Sequence, residues 1–208
     1  MEEKETNPKE TKYYYIPIYH SYKCEMSDFL IRNNLVRGFQ NVNKPKNDKG
    51  IYFAFLDSPN VNCSEKIKHH LELAEKKKAK IKGVFYMYYL NNRNNELNFY
   101  KEEHKKLLKD LPNKEEITFF IFGVKNNFNE QNLNDEEDRV KRFCQDNDIM
   151  FGGFINTITK VKKEKEETLE ILKKNVEEIL DCKIENDEIF TLTHKKPQNN
   201  YCNNCINS

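Results

Sequence analysis

The stretch IKGVFYMYYL, residues 81–90, carries the strongest β-strand signal in the chain. Its apolar character is continuous rather than alternating, which is typical of a strand covered on both faces in a parallel sheet. Other stretches share this character, and in one of them we expect Pro17 to interrupt the strand. They are KYYYIPIY at 12–19, GIYFAFLD at 50–57, ITFFIFGV at 117–124 and IMFGGFI at 149–155. These stretches predict a buried, mostly parallel sheet.

Amphipathic helices are predicted between these strands. In the segment 63–79, Ile67, Leu71 and Ala74 recur at helical spacing among Glu and Lys residues. The other predicted helices cover residues 24–33, 99–111, 135–147 and 164–181. Alternating strands and helices imply βαβ crossovers. The predicted fold is therefore an α/β domain with a single doubly wound, mostly parallel sheet and helices on both faces.

Length and charge are those of one globular domain. The 208 residues fit one domain of about 100–200 residues, plus tails. We assign residues 12–190 to the domain, 1–11 to a polar N-terminal tail and 191–208 to a flexible C-terminal tail. The formal net charge of +1 creates no overall field that would attract nucleic acid, so no nucleic-acid partner is expected.

Targeting signals for secretion or membrane insertion are not recognisable in the sequence. No apolar run reaches the roughly 18–20 residues that a membrane-spanning helix needs. The stretch MEEKETNPKETK at 1–12 lacks the hydrophobic region of a secretion signal. We therefore expect a cytoplasmic protein whose thiols stay reduced. The composition excludes collagen-like, transmembrane and disulfide-scaffold proteins.

The cysteines do not form a recognisable metal or redox motif. Cys63, Cys144 and Cys182 are isolated, and we expect each to be a small buried or half-buried side chain. Cys202 and Cys205 form one C-x-x-C pair. A single pair without a second pair or nearby histidines is a poor zinc site. A redox pair would open a helix within a βαβ pattern, which this pair does not.

The position of Cys205 indicates lipidation. It is fourth from the end and is followed by Ile206-Asn207-Ser208, the C-a-a-X arrangement, whose terminal Ser favours a farnesyl group. Asn207 departs from the pattern, which has an aliphatic residue there. One lipid chain anchors a protein only marginally, so acylation of Cys202 is the expected second signal. The alternative interpretation is a tail with two incidental cysteines.

The loops after the strands are the candidate site, because ligands of open α/β sheets bind beyond the carboxyl ends of the strands. Four segments in or beside these loops are LDSPN at 56–60, GVFYMYYLNNRNNELNF at 83–99, FFIFGVKNN at 119–127 and NTITK at 156–160. Their order and residues resemble the small GTPases of the Ras superfamily, most closely the Rab proteins. In that order, the segments resemble the Asp-x-x-Gly motif, the fourth strand and following turn, the guanine-reading segment and the Ser-Ala-Lys loop. The resemblance covers residues 12–208 and includes the family's variable prenylated C-terminus.

The resemblance implies a guanine-nucleotide site at four residues of this chain. Lys23 matches the lysine that reaches the β- and γ-phosphates, and Asp57 matches the aspartate that holds Mg²⁺ through water. Lys125 matches the lysine that lies along the guanine base. Lys160 matches the lysine of the last nucleotide-binding loop.

The phosphate-binding motifs depart most from the family pattern. Two glycines of the phosphate loop let backbone N–H groups approach the phosphates, but Pro17 and Tyr22 stand at those positions. Cys24 replaces the hydroxyl ligand of Mg²⁺, and a thiol is a poor ligand for that hard cation. Asn60 replaces the glycine that senses the γ-phosphate, and no Gln follows it to orient the attacking water.

The first switch and the base-reading loop are also altered. Residues 28–57 contain no Ser or Thr to replace the family's switch threonine. Val124 replaces the asparagine that braces the base pocket, and Asn127 replaces the aspartate that accepts two N–H bonds from guanine. Each such charge-assisted bond is worth about 1.5–3 kcal/mol. GTP hydrolysis is the reaction expected of an active family member. The departures from the family pattern imply that this chain does not hydrolyse GTP efficiently.

Each of these residues also has an ordinary structural interpretation. A lone lysine after a strand is usually a solvated loop residue, and an aspartate there is often a helix N-cap or turn residue. We expect His20 to be a surface histidine, and the adjacent His69 and His70 to face different ways without metal-ligand spacing. The Lys76-Lys77-Lys78 and Lys162-Lys163 runs are expected to be solvated helix faces, because Glu residues flank them.

Three functions follow from these observations. The leading hypothesis is a small-GTPase-like adaptor or regulator in signalling or vesicle traffic. It would sit peripherally on the cytosolic face of a membrane through a lipidated C-terminus, bind protein partners through the switch-equivalent surface, and need no cofactor. The alternative is a divergent Rab-like GTPase that binds GTP or GDP with Mg²⁺ and cycles in membrane traffic. The third is an α/β binding module unrelated to the GTPases.

Overall fold

The apolar stretches of the sequence form the strands of one sheet in the computed structural model, which describes residues 12–20, 26–32, 51–59, 62–90, 95–125 and 133–180. The strands are β1 (Lys12–His20), β2 (Ile51–Pro59), β3 (Ala79–Ile81), β4 (Gly83–Tyr89), β5 (Thr118–Val124) and β6 (Met150–Ile155). The helices are α1 (Met26–Arg32), α2 (Cys63–Lys76), α3 (Asn95–Asp110), α4 (Leu133–Asn147) and α5 (Lys162–Leu180), with a short 3-10 helix at Lys114–Glu116.

The sheet has the order β2-β1-β4-β5-β6, and β3 pairs with the first half of β1. Every strand pairing among the described residues is parallel. The strand order reverses between β1 and β4, which creates the crevice where doubly wound sheets bind ligands. The predicted fold class, a doubly wound α/β domain, is confirmed.

Strand β1 continues through Pro17 to His20, so the predicted interruption at Pro17 is wrong. The reason lies in the register. Residues Tyr13–Tyr15 pair with β3 and residues Ile18–His20 pair with β4, while Pro17 falls between the two pairings. Proline has no N–H to donate, and here it lies where the ladder on this side is already broken.

Helix α2 ends at Lys76, three residues before the predicted boundary. The chain turns at Lys78, which has a positive φ of 52°. This left-handed conformation commonly ends a helix, and the N–H of Lys78 still donates to the carbonyl of Glu75. The residues after this turn form β3. In place of the predicted strand 81–90, the chain therefore forms two shorter strands, β3 and β4, which are separated by Lys82.

Both faces of the sheet are covered, which explains the continuous apolar character of β4. Tyr86 and Tyr88 face α2, α3 and α4, while Phe85 and Met87 face α1 and α5. The tyrosine hydroxyls on the first face find polar partners; the Tyr100 hydroxyl, for example, donates to the carbonyl of Met87 over 2.6 Å. Buried tyrosines therefore fill this core without leaving polar atoms unpaired.

The isolated cysteines that the structure describes, Cys63 and Cys144, are buried free thiols as predicted. Cys182 and the C-terminal pair lie outside the described residues, as do both proposed tails. Any antiparallel edge strand of the GTPase type would fall within 33–50, which the structure does not describe either. No helix in the described ranges is long and apolar enough to cross a membrane.

Candidate functional site

The carboxyl edge of the sheet gathers the ends of β1, β2, β5 and β6. Asp57 lies near the end of β2, Lys125 follows β5, and Lys160 is exposed in the loop between β6 and α5. Lys23 lies outside the described residues, as do Tyr22, Cys24, Asn60 and Asn127. Asp57 and Lys125 belong to strands three positions apart, roughly 14 Å across the sheet. The register places Asp57 level with Phe120, so Lys125 also lies about 16 Å further along the strand direction.

Asp57 contacts a histidine near the carboxyl ends of β1 and β2. His20 Nε2 lies 2.7 Å from Asp57 Oδ1, and the two side chains are 3 % and 8 % exposed. The prediction that His20 is a surface residue is wrong. Side chains alternate along a strand, so His20 lies on the same buried face of the sheet as Ile16 and Ile18. The three residues occupy every second position of β1, and this spacing is visible in the sequence. Water-mediated Mg²⁺ binding at Asp57 Oδ1 would require this contact to be displaced.

A second histidine joins α2 to the ends of β1 and β2 on the opposite face of the sheet. The Ser58 hydroxyl lies 3.1 Å from His70 Nε2, and the Tyr19 hydroxyl lies 3.3 Å from His70 Nδ1. Burial, with smaller contributions from His69 and Lys66, lowers the pKa of His70 to about 4. The imidazole is therefore neutral near pH 7, with one nitrogen donating and the other accepting.

Nucleophilic catalysis is not favoured by this cluster, although a serine and a histidine touch. Ser58 is 6 % exposed and His70 is 4 % exposed, so both lie within the packed layer beneath α2. A nucleophile must reach its substrate and a base must exchange protons with it. The contact is instead a structural connection between α2 and the strand ends. The sequence placed His70 on α2 but did not reveal either partner.

The N-terminus of α2 is capped by a residue from α3 that sequence reasoning missed. The Glu103 carboxylate accepts the backbone N–H of Cys63 over 2.9 Å and that of Ser64 over 3.5 Å. The first N–H groups of a helix have no partner within it, and the helix dipole favours a negative charge there. The sequence did contain a signal that Glu103 is buried, because Glu103 lies at helical spacing from Tyr100 and Leu107 on the apolar face of α3.

An open cleft of about 720 Å³ lies beside the ends of β5 and β6. Lys125 and Thr159 both line it, so the loop after β5 and the loop that carries Lys160 meet at this cleft. The Lys125 N–H donates to the Ile155 carbonyl over 2.8 Å, and its ammonium lies 5.7 Å from the centre of the Phe154 ring. The backbone of this end is fixed, while the cleft above it is accessible.

The loop that carries Lys160 is fastened to the start of α5. The Asn156 side chain donates to the Glu164 carboxylate over 2.9 Å, and its backbone N–H donates to the Thr168 hydroxyl over 3.1 Å. The Thr159 hydroxyl accepts the N–H of Val161. Within the described ranges, no group of three or more His, Cys, Asp or Glu side chains converges on a point where a metal ion could bind.

Comparison with known proteins returns no relative: no protein-family model matches the chain, and no curated protein matches it. The fold therefore defines the class of the protein, which is a doubly wound α/β domain. At its carboxyl edge, a buried histidine–carboxylate contact joins β1 to β2, and an open cleft lies beside the ends of β5 and β6.

Proposed function

We propose that this chain is a small-GTPase-like adaptor that presents a fixed surface to protein partners and does not depend on guanine nucleotide. The contact between His20 and Asp57 carries the proposal. By resemblance, Asp57 is the carboxylate that would hold Mg²⁺ through water. A histidine side chain already contacts that carboxylate in a buried position. A buried carboxylate without a partner is costly, so the chain itself supplies the partner that a GTPase takes from its cofactor.

The contacts that hold α2 in place support the proposal of a fixed surface. A nucleotide switch needs the segment after the Asp-x-x-Gly motif to change position at low cost. Here α2 is held to α3 through Glu103, and to β1 and β2 through His70. Leaving such buried polar groups without partners costs about 1–3 kcal/mol each. The exposed face of α2, which includes Glu65, Lys68 and Glu72, is the charged surface offered to partners.

A divergent GTPase that still binds nucleotide is the second candidate, and the open cleft favours it. Lys125 and the loop carrying Lys160 meet at the position where the resemblance places the guanine base. In this alternative, Lys23 would contact the phosphates, and Asp57 would leave His20 to hold Mg²⁺. GTP hydrolysis would be the reaction, as it is in the family that the chain resembles.

A nucleotide assay on the full chain separates the two candidates. The purified protein is denatured and the supernatant is tested for GDP and GTP, and fluorescent GDP and GTP are titrated into native protein with Mg²⁺ or with a chelator. We expect no bound nucleotide and no Mg²⁺-dependent binding. Asp57→Asn should leave this result unchanged. Stoichiometric nucleotide with Mg²⁺-dependent affinity that Asp57→Asn weakens would establish the second candidate.

The membrane tether is tested separately. Cys205→Ser removes the proposed prenylation site, and we expect the variant to move from the membrane fraction to the soluble fraction of cells. The matched control is Cys144→Ser, which removes a buried thiol far along the chain from the tail. If Cys205→Ser stays membrane-bound as well as the parent chain, the proposed lipid anchor is wrong.

A further inference from the structure

A dense run of lysines lies at the amino edge of the sheet, opposite the candidate site. The stretch EKKKAKIK at 75–82 contains five lysines and one glutamate. Four of the lysines are exposed, and we call Lys76, Lys77, Lys78 and Lys80 the lysine patch. The fifth, Lys82, lies 2.5 Å from the Glu116 carboxylate. The patch therefore keeps its positive charge facing solvent.

The structure arranges these lysines differently from the solvated helix face that the sequence predicted. The run of three lysines was expected to be part of a solvated helix face, but α2 ends at Lys76 and the chain turns at Lys78. In β3, exposed Lys80 alternates with Ile81, which is buried on the α2 face, so the Lys80 side chain lies on the opposite face of the sheet. Four exposed lysines thus lie within five positions, around one turn and the strand that follows it.

Acidic residues of the same edge lie beside the patch. Glu115 and Glu116 precede β5, whose partner β4 follows directly after β3. Glu116 pairs with Lys82, and this contact, with a smaller contribution from Lys80, lowers the pKa of Glu116. The five lysines of 75–82 outnumber Glu75, Glu115 and Glu116, so this part of the edge keeps a net positive charge.

Helix α5 ends near this patch. A Cβ placed on Gly83 would lie 2.3 Å from Ile179 Cδ1, so the last turn of α5 packs directly against the first residue of β4. Gly83 is three residues beyond Lys80, a distance on the order of 10 Å along a strand. Cys205 lies 25 positions beyond Leu180, which ends α5. A segment of that length reaches at most about 85 Å.

We propose that the lysine patch binds anionic lipid headgroups and orients the domain with its amino edge against the membrane. This inference rests on the membrane tether of the proposed function. A single lipid chain anchors only marginally, and basic residues near an anionic surface supply the additional attraction. In this orientation the carboxyl edge, with its open cleft, faces away from the membrane and stays accessible to partners.

The test uses the full chain without lipid modification and two kinds of vesicle. One is phosphatidylcholine alone, and the other is equal parts phosphatidylcholine and phosphatidylserine. We expect the chain to sediment with the anionic vesicles only, and less so as salt is added. A variant with all four patch lysines changed to Gln should bind at least tenfold more weakly, since each lysine near such a surface contributes about fivefold.

A matched control variant removes the same charge elsewhere. It changes four exposed lysines of α3, α4 and α5 to Gln: Lys105, Lys141, Lys162 and Lys174. Circular dichroism confirms that both variants fold. We expect the control to retain most of its vesicle binding. Equal loss in both variants, or equal binding to the neutral vesicles, would overturn the proposal.

Two further outcomes have defined meanings. A parent chain that binds duplex DNA and ignores anionic vesicles would overturn the proposal in favour of a nucleic-acid surface. Nucleotide binding, which would overturn the proposed function, leaves the vesicle result unchanged. If the patch variant loses vesicle binding while Cys205→Ser remains on cell membranes, the patch is retained and the lipid anchor is rejected.

Discussion

Glu103 of α3 caps Cys63 of α2 across 40 positions of the chain, with the carboxylate oxygen 2.9 Å from the backbone nitrogen. The same carboxylate lies 2.9 Å from the Lys106 ammonium through its other oxygen. Glu103 is buried, and a buried charge needs partners. The N-terminus of α2 and the Lys106 ammonium are its partners. This contact ties α2 to α3.

Removing the cap should loosen α2. We expect Glu103→Ala to lower the free energy of unfolding by about 1–3 kcal/mol, because two backbone N–H groups lose their acceptor. Urea denaturation measures the loss, and hydrogen exchange at Cys63 and Ser64 should become faster. Glu102→Ala is the control, because the Glu102 side chain is 64 % exposed. Similar effects of the two substitutions would show that the cap does not stabilise α2.

The His20–Asp57 contact should behave as an energetically coupled pair. We expect His20→Asn and Asp57→Asn each to lower the free energy of unfolding by about 1–3 kcal/mol, since each leaves a buried polar partner behind. The double variant should be less destabilised than the sum of the single variants by about 1 kcal/mol or more. A double-mutant cycle by chemical denaturation measures this coupling. Strictly additive effects would contradict a direct interaction.

Two buried histidines should make the protein sensitive to mild acid. Burial lowers the pKa of both His70 and His104 to about 4, and in His104 this outweighs the opposing effect of Asp148. In the unfolded chain each histidine titrates near its ordinary pKa of about 6.5, so between these values the unfolded state binds more protons. Stability should therefore fall as the pH drops from about 6.5 to 4, by up to about 3 kcal/mol per histidine.

A pair of neighbouring variants identifies the contribution of His70. His70→Gln should flatten the pH dependence of the unfolding free energy over this range, because one of the titrating groups is gone. His69→Gln should leave the slope almost unchanged, since His69 is exposed on α2. Parallel slopes for the parent chain and His70→Gln would show that His70 does not titrate between the folded and unfolded states as proposed.

Gly123 of β5 should not tolerate a side chain. A Cβ there would lie 2.2 Å from Phe154 Cδ1 and 3.2 Å from Leu90 Cδ2. Gly123→Ala should therefore cost about 1–3 kcal/mol of stability through overpacking. Thermal or urea unfolding measures it. Adding Phe154→Leu should recover part of the loss, because the shorter side chain makes room. A stable Gly123→Ala protein would mean that the Phe154 ring moves freely.

Several features of the fold were predictable because they depend on short-range periodicity. Phe85 and Met87 alternate with Tyr86 and Tyr88, and a short aromatic stretch of this kind indicates a strand covered on both sides. Helix α5 was likewise visible from its apolar face. Strand boundaries were less predictable: β1 passes through Pro17, where the pairing on the side of β3 and β4 is interrupted between those two strands.

The candidate site was predictable only in part. The resemblance assigned Lys125 and Lys160 to one site, and in the structure Lys125 and Thr159 line one cleft. The partners of Asp57 and Cys63 were not predictable. His20 and Glu103 look like ordinary polar residues of a loop and a helix until the strand order and the helix packing are known.

The spacing of apolar residues within each segment is enough to predict alternating buried strands and amphipathic helices, and with them a doubly wound α/β domain. Three contacts appear only in the folded chain: His20 contacts Asp57, Glu103 caps α2, and the end of α5 packs against Gly83 near the lysine patch. Such contacts join residues tens of positions apart, so they depend on strand order, register and helix packing, which no local pattern specifies.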